Sequence, residues 1–146
     1  MAIISAIRAY FADCPLLTSG APLGVDFLGD GVGYTVDAYP CDPIYRRYTD
    51  GGTIRQFLFD FASREKFGTK TAENMRNSQF YDRLAAWVEQ KNLEGTYPEL
   101  DDGLTPIEMF VVSRGYVEDS GDNTARYVMQ FRLLYYQPGY YKAEVI

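Results

Sequence analysis

The chain contains no histidine. Imidazole is the one side chain whose ordinary pKa lies near neutrality, and the common serine, cysteine and acyl-transfer enzymes use it as their base. Its absence removes those mechanisms, and none of Lys66, Lys70, Lys91 and Lys142 lies in an obviously apolar, pocket-forming stretch. The residues therefore predict no enzyme. Cysteine is scarce too: Cys14 and Cys41 are the only two, and no Cys/His spacing for a metal surrounds them. Two reduced, partly buried thiols are expected, with a disulfide between them as the other arrangement. No apolar run approaches the roughly 18 residues of a membrane-spanning helix. The segment Met1-Ala2-Ile3-Ile4-Ser5-Ala6-Ile7-Arg8 also lacks the basic and apolar regions of a signal peptide. Neither membrane partner nor secretory export is expected.

Positive charge is sparse. The 14 basic residues face 20 acidic ones, the net charge is -6, and the pair Arg46-Arg47 is the longest basic cluster. Gripping a phosphate backbone takes several cations on one face, so no sequence-specific nucleic-acid partner is expected.

Aromatic residues, in contrast, are abundant. Hydrophobic residues make up 47% of the chain and aromatics 16%, with 13 Tyr and 9 Phe, which is the opposite of a disordered composition. The 146 residues fit one domain, 1–146, able to bury about two thirds of its unfolded surface.

Ile3, Ile4, Ile7, Tyr10 and Phe11 recur at helical spacing until Cys14-Pro15, where the residue before proline leaves the α region. Two brief strand-like runs follow, Leu23 to Leu28 and Val32 to Ala38, with a turn at Gly29-Asp30-Gly31. That glycine-rich turn does not cradle phosphate, because the residues after it alternate as a strand instead of opening a helix. Tyr39-Pro40-Cys41-Asp42-Pro43 reads as a rigid corner, since its prolines fix φ and remove donors. After Ile44 to Tyr48, Asp50-Gly51-Gly52 turns into a strand from Thr53 to Ser63, with Phe57, Phe59 and Phe61 on one face. Helical period returns between Thr71 and Asn92, on a stripe of Met75, Tyr81, Leu84, Ala85 and Val88 with Trp87 beside it. Asn77-Ser78 is a possible cap for the stronger part, which leaves Thr71 to Arg76 as a separate or kinked turn.

The last third reads as a hairpin. Ile107, Met109 and Val111 share one face, and Tyr127, Met129, Phe131, Leu133 and Tyr135 another, around a polar turn at Glu118 to Asn123. The fold class that follows is α+β, a single domain with a mostly antiparallel mixed sheet packed by two helices near Ile3 to Ala12 and Ser78 to Lys91. Its sheet includes Thr53 to Ala62, Ile107 to Val117 and Thr124 to Tyr136. Asp101-Asp102 and the pair Asp119 and Asp122 match no calcium-loop spacing, so they read as solvated turns and not as metal ligands. The tail tyrosines Tyr135, Tyr136, Tyr140 and Tyr141 suit core and subunit contacts better than base stacking, given the acidic balance. No cofactor is implied.

A resemblance enters on specific text: Pro40-Cys41-Asp42-Pro43-Ile44, Asp50-Gly51-Gly52-Thr53-Ile54-Arg55-Gln56-Phe57-Leu58-Phe59, Phe61-Ala62-Ser63-Arg64-Glu65, Asn77-Ser78 with Phe80-Tyr81, and Thr124-Ala125-Arg126-Tyr127. Over nearly the whole chain it resembles a family of phage proteins from head-to-tail modules of long-tailed phages and prophages of Gram-positive bacteria, commonly labelled minor capsid proteins. Some relatives carry a chloramphenicol-resistance label, against which the lack of histidine argues.

In size and element order these proteins are similar to tail terminators. The resemblance implies a non-enzymatic virion protein, assembled in the bacterial cytoplasm, that forms a homo-oligomeric ring, a hexamer, on the tail tube and meets the head connector. Another connector or minor capsid subunit is the second reading, and a small-ligand enzyme the third. A head-to-tail ring needs two different complementary patches per subunit. Arg46, Arg47, Arg55 and Arg64 are the candidates to meet Asp101, Asp102, Asp119 or Asp122 of a neighbour, with Tyr140 and Tyr141 as anchors.

Overall fold

A computed structural model describes residues 2–17, 23–25, 33–66, 71–120 and 124–139. Among them the order is α1 (Ile3–Ala12), β1 (Leu23–Val25), β2 (Gly33–Tyr39), β3 (Ile44–Arg47), β4 (Thr53–Lys66), α2 (Thr71–Glu94), β5 (Thr105–Ser120) and β6 (Thr124–Gln137). The architecture is α+β: one mixed six-stranded sheet in the order β1-β2-β4-β6-β5, with β3 on β4, and two helices. No helix among the described residues is long and apolar enough to cross a membrane.

The apolar stripes choose the covered face of the sheet. Phe59 and Phe61 of β4 and Met129, Phe131 and Leu133 of β6 are fully buried on it, against Ile7 and Phe11 of α1 and Leu84 and Val88 of α2. Phe11 is the meeting point, with ring centroids 5.0 Å from Phe61, 5.4 Å from Phe131, 5.9 Å from Trp87 and 6.0 Å from Phe59. Phe59 and Phe131, register partners across β4 and β6, stack at 5.5 Å. Such pairs add about 0.5–1.5 kcal/mol each to the area they bury. A buried hydrogen bond between the Ser63 and Tyr81 hydroxyls ties β4 to α2 across the same layer.

β2 and β3 run along the same side of β4 as one interrupted strand. Tyr39 pairs with Leu58 and Ile44 with Arg55, so the proline corner spans a short stretch of β4 with extra chain. Pro40 and Pro43 have no N–H to give a ladder, and Gln56 fills the gap. Its backbone N–H donates to the Pro43 carbonyl at 2.8 Å and its side-chain amide to the Asp42 carbonyl at 2.6 Å. The Asp42 carboxylate in turn accepts the Ile44 N–H at 2.9 Å. The next turn is equally tight: Gly51 has φ 90°, and the Asp50 carboxylate accepts the Gly52 N–H at 2.8 Å. A Cβ at Gly139 would stand 2.8 Å from the Asp50 carbonyl oxygen, so the chain after β6 closes on this turn as only glycine allows.

Several sequence expectations need correction. α2 is one helix from Thr71 through Asn77-Ser78, not a turn followed by a capped helix. Helical propensities of ordinary residues differ by no more than about 0.7 kcal/mol, and the packed stripe at Tyr81, Leu84, Ala85 and Val88 outweighs them. β1 and β2 pair in parallel; the expected turn at 29–31 lies outside the described residues, as do Phe27 and Leu28 of the first run. In β5 the ladder shifts register at four places, the first between Pro106 and Glu108. That bulge takes Ile107 off the face of Met109: Ile107 is 39% exposed and Met109 1%. The strand also runs through Glu118 and Asp119 to Ser120, where a turn was expected. Both thiols are free, but only Cys14 is buried; Cys41 stands exposed on the corner.

If Phe11 joins the layers, Phe11→Ala should cost about 3–5 kcal/mol, the range for emptying a buried phenylalanine site. Urea unfolding followed by circular dichroism measures it, and a loss below about 1 kcal/mol would contradict the central position of this ring.

Candidate functional site

Two regions gather polar groups that the core does not use. The first is the end of the sheet where β3 stops and β5 begins. Arg46 pairs with Ile54, Ile54 with Tyr136, and Tyr136 with Thr105, so these four form one row across β3, β4, β6 and β5. Arg46 and Arg47 are exposed on the β3 side of this row. Asp101 and Asp102 are exposed in the loop that Gly103 (φ 89°) turns into β5, the strand at the opposite margin. Three strand spacings of about 4.8 Å separate β3 from β5 by roughly 14 Å. One margin of this end thus carries a basic pair, and the loop entering the other carries an acidic one. Arg55 belongs to this end but is half-buried, its guanidinium Nε donating to the Thr53 hydroxyl at 3.1 Å.

The other predicted contacts fall elsewhere. Arg64 lies at the far end of β4, opposite Arg126, and Arg126 lies opposite Asp119. Asp122, Tyr140 and Tyr141 lie outside the described residues. Large apolar side chains flank the charged margins. Tyr45 and Tyr48 are 53% and 44% exposed around Arg46 and Arg47, and Phe110 and Val112 follow Ile107 along β5 at 36% and 41%.

The outer edge of β5 is blocked at one place. The Asn92 side-chain amide donates to the Met109 carbonyl at 2.8 Å, and its oxygen accepts the Met109 N–H at 3.2 Å. A helix side chain thus supplies both bonds that an added strand would make there. The end of α2 is held for this task by Gly95, whose φ of 73° lets its N–H reach the Asn92 carbonyl at 3.1 Å and the Thr96 N–H reach that of Lys91 at 2.9 Å.

The second region is a cleft of about 360 Å³ between α1 and the chain leaving α2, walled by Ala6, Ala9, Tyr10 and Asp13 on one side and Lys91 and the segment from Thr96 to Glu99 on the other. Tyr10 is buried, its ring 5.1 Å from that of Trp87, and its hydroxyl has no hydrogen-bond partner among the described residues. Burial, then the neighbouring Cys14 and Tyr97 groups, push its phenol far above the ordinary tyrosine range, so it stays a donor. The Lys91 ammonium lies 5.4 Å above the Trp87 ring and 4.0 Å from Glu94. Burial also pushes the Cys14 thiol up. Sequence reading missed this cleft: Tyr10 counted as one more apolar-stripe residue, and Lys91 lies in a pocket wall after all. The available signal was a tyrosine where phenylalanine would pack, since a buried phenol ordinarily needs a partner. Among the described residues no three Cys, Asp or Glu gather as a metal site would require.

No protein-family model matches the chain, and no curated protein matches it.

Because its hydroxyl is buried without a partner, Tyr10→Phe should leave stability unchanged or raise it by up to about 1–3 kcal/mol. The unfolded phenol ionises before the folded one, so wild-type stability should fall as pH rises past the ordinary tyrosine range, and the variant should lose part of that slope. Denaturant melts across alkaline pH test both, and a variant destabilised by more than about 1 kcal/mol would show that the hydroxyl is satisfied.

Proposed function

We propose that this protein is a structural subunit of the head-to-tail region of a long-tailed phage, a tail terminator that forms a ring on the tail tube and joins it to the head connector. The sequence resemblance supplies the virion setting and the hexameric ring. The observation that carries the reading is the pair of opposite margins at one end of the sheet, Arg46 and Arg47 beside β3 and Asp101 and Asp102 before β5. Identical subunits joined head to tail need two unlike complementary patches. Here the basic pair lies on β3 at one margin and the acidic pair in the loop that enters β5 at the other, so neighbours can meet side by side without turning over.

Charge alone does not hold such a ring, since exposed ion pairs contribute only about 0.2–1 kcal/mol each. Their part is to select partner and register. The cohesive surface is apolar: Tyr45 and Tyr48 on the basic side, and Ile107, Phe110 and Val112 on the acidic side. Tyrosine and arginine together are the usual composition of a contact centre. In this reading the chain is no enzyme and carries no cofactor, and its place is the virion after assembly in the bacterial cytoplasm.

Charge reversal provides the test. Arg46→Glu with Arg47→Glu, and separately Asp101→Lys with Asp102→Lys, should each abolish ring closure and incorporation into tails, while the fourfold swap should restore both. Subunits are counted by electron microscopy of purified tails carrying a labelled protein. Label inside the capsid shell or along the whole tube, and not at the head-proximal end, would refute the terminator assignment.

A further inference from the structure

We propose that the outer edge of β5 is a pairing site for β5 of a second copy, and that Asn92 holds it closed in the free subunit. The proposal does not rest on the ring reading, since it needs only two copies. Within that reading it adds a consequence: the closed edge keeps Ile107, Phe110 and Val112 from being hidden in a two-copy pair before the ring forms.

β5 ends the sheet order, so every second residue turns its N–H and C=O away from β6. Met109 is such a residue, because Asn92 reaches both groups from outside. Its amide nitrogen lies 2.8 Å from the Met109 carbonyl and its oxygen 3.2 Å from the N–H. One donor and one acceptor are also what a residue of an antiparallel strand offers there, so the side chain stands in for a strand. It is lightly held. Val88 is the last buried residue of α2, Leu93 is 83% exposed, and the helix ends on Gly95 in the left-handed region.

A two-fold antiparallel pair centred on Met109 makes the same two bonds with Met109 of the second copy. In that register Glu108 faces Phe110 of the other copy, twice, and Ile107 faces Val111. No acid meets an acid, which directly opposite positions penalise. Exposed Ile107 and Phe110 supply the apolar area. Register shifts between Pro106 and Glu108 and between Val111 and Ser113 interrupt the strand on either side, so the pair is confined to this stretch.

Analytical ultracentrifugation of the full chain tests the pairing. Every sample carries Arg46→Glu and Arg47→Glu, so ring contacts do not contribute and the outcome is independent of the ring reading. With Asn92 in place the chain should stay monomeric. Asn92→Ala should dimerise with a dissociation constant on the order of 0.1 mM, at least about tenfold below that of the chain retaining Asn92. Its Met109 amide should exchange with solvent quickly when dilute and slowly when concentrated. Adding Phe110→Glu sets acid against Glu108 and should return the monomer, while adding Phe110→Lys sets a cation there and should keep the dimer. Gly95→Ala strains the turn beyond Asn92, with open space around the new Cβ, and carries the test if Asn92→Ala does not fold. The proposal is overturned if the folded Asn92→Ala or Gly95→Ala chain stays monomeric at about 1 mM. It is equally overturned if Phe110→Glu and Phe110→Lys leave the association the same.

Discussion

The structure depends on a single packing contact, the insertion of Phe11 between the sheet and α2. Four aromatic neighbours from β4, β6 and α2 surround its ring, so one residue of a ten-residue helix couples elements far apart in sequence. The arrangement of β4 follows from this. Phe57, Phe59 and Phe61 must point to the helices, and since strand side chains alternate, a slip by one residue would turn all three to the opposite face. Ile7 and Phe11, one helical turn apart on α1, are both fully buried against this row. With that register fixed, Asp60 is sent to the helix-free face, where Gln130 of β6 donates to its carboxylate at 3.2 Å.

The two lateral margins of the sheet are then consequences of how its ends are finished. On one side the prolines at 40 and 43 prevent β2 from continuing along β4, and the chain resumes as β3 only because Gln56 bonds the displaced carbonyls. That interruption places Arg46 and Arg47 on a short exposed segment. On the other side the bulges of β5 turn Ile107 outward, while Asn92 satisfies Met109 and closes the edge there. A long exposed edge strand with apolar side chains would be an aggregation hazard. The amide clamp and the bulges interrupt that edge, so the apolar margin can meet a shaped partner better than a random strand.

The sequence was legible where periodicity and burial coincide. The α1 stripe, the alternation of Thr53 to Ser63 and that of Tyr127 to Tyr135 each read correctly, because one face carries the aromatic side chains. Phe57, half-buried, packs against the core from the same face as Phe59 and Phe61. Reading failed where structure is set by partners distant in the chain. Nothing local in Leu23–Val25 states that it pairs in parallel with β2, and nothing in Pro106-Ile107-Glu108 announces the bulge that reverses the apparent alternation. The charged residues split along the same line. That Arg46, Arg47, Asp101 and Asp102 are exposed could be read from the sequence, because charge next to prolines and glycines is a local property. That Asp119 lies opposite a basic residue of its own chain is a property of register, and so was invisible.

Tyr10 shows why a polar group can hide in a pattern that reads correctly. A hydrophobic stripe treats tyrosine and phenylalanine alike, and the ring of Tyr10 does pack as the stripe requires, against Phe11 and Trp87 at 5.0 and 5.1 Å. The oxygen is surplus to that packing. Folding into the core gains from the ring and loses from the unmatched hydroxyl, so the helix would be served at least as well by phenylalanine. In the proposed ring the margins present the opposite case, since exposed charges contribute little to the stability of one subunit and would act against a second surface. Neither the surplus hydroxyl nor the unlike margins is needed by the fold. Groups that the fold does not need, and that cost it something to keep, are where a physical reading should look for what the protein meets.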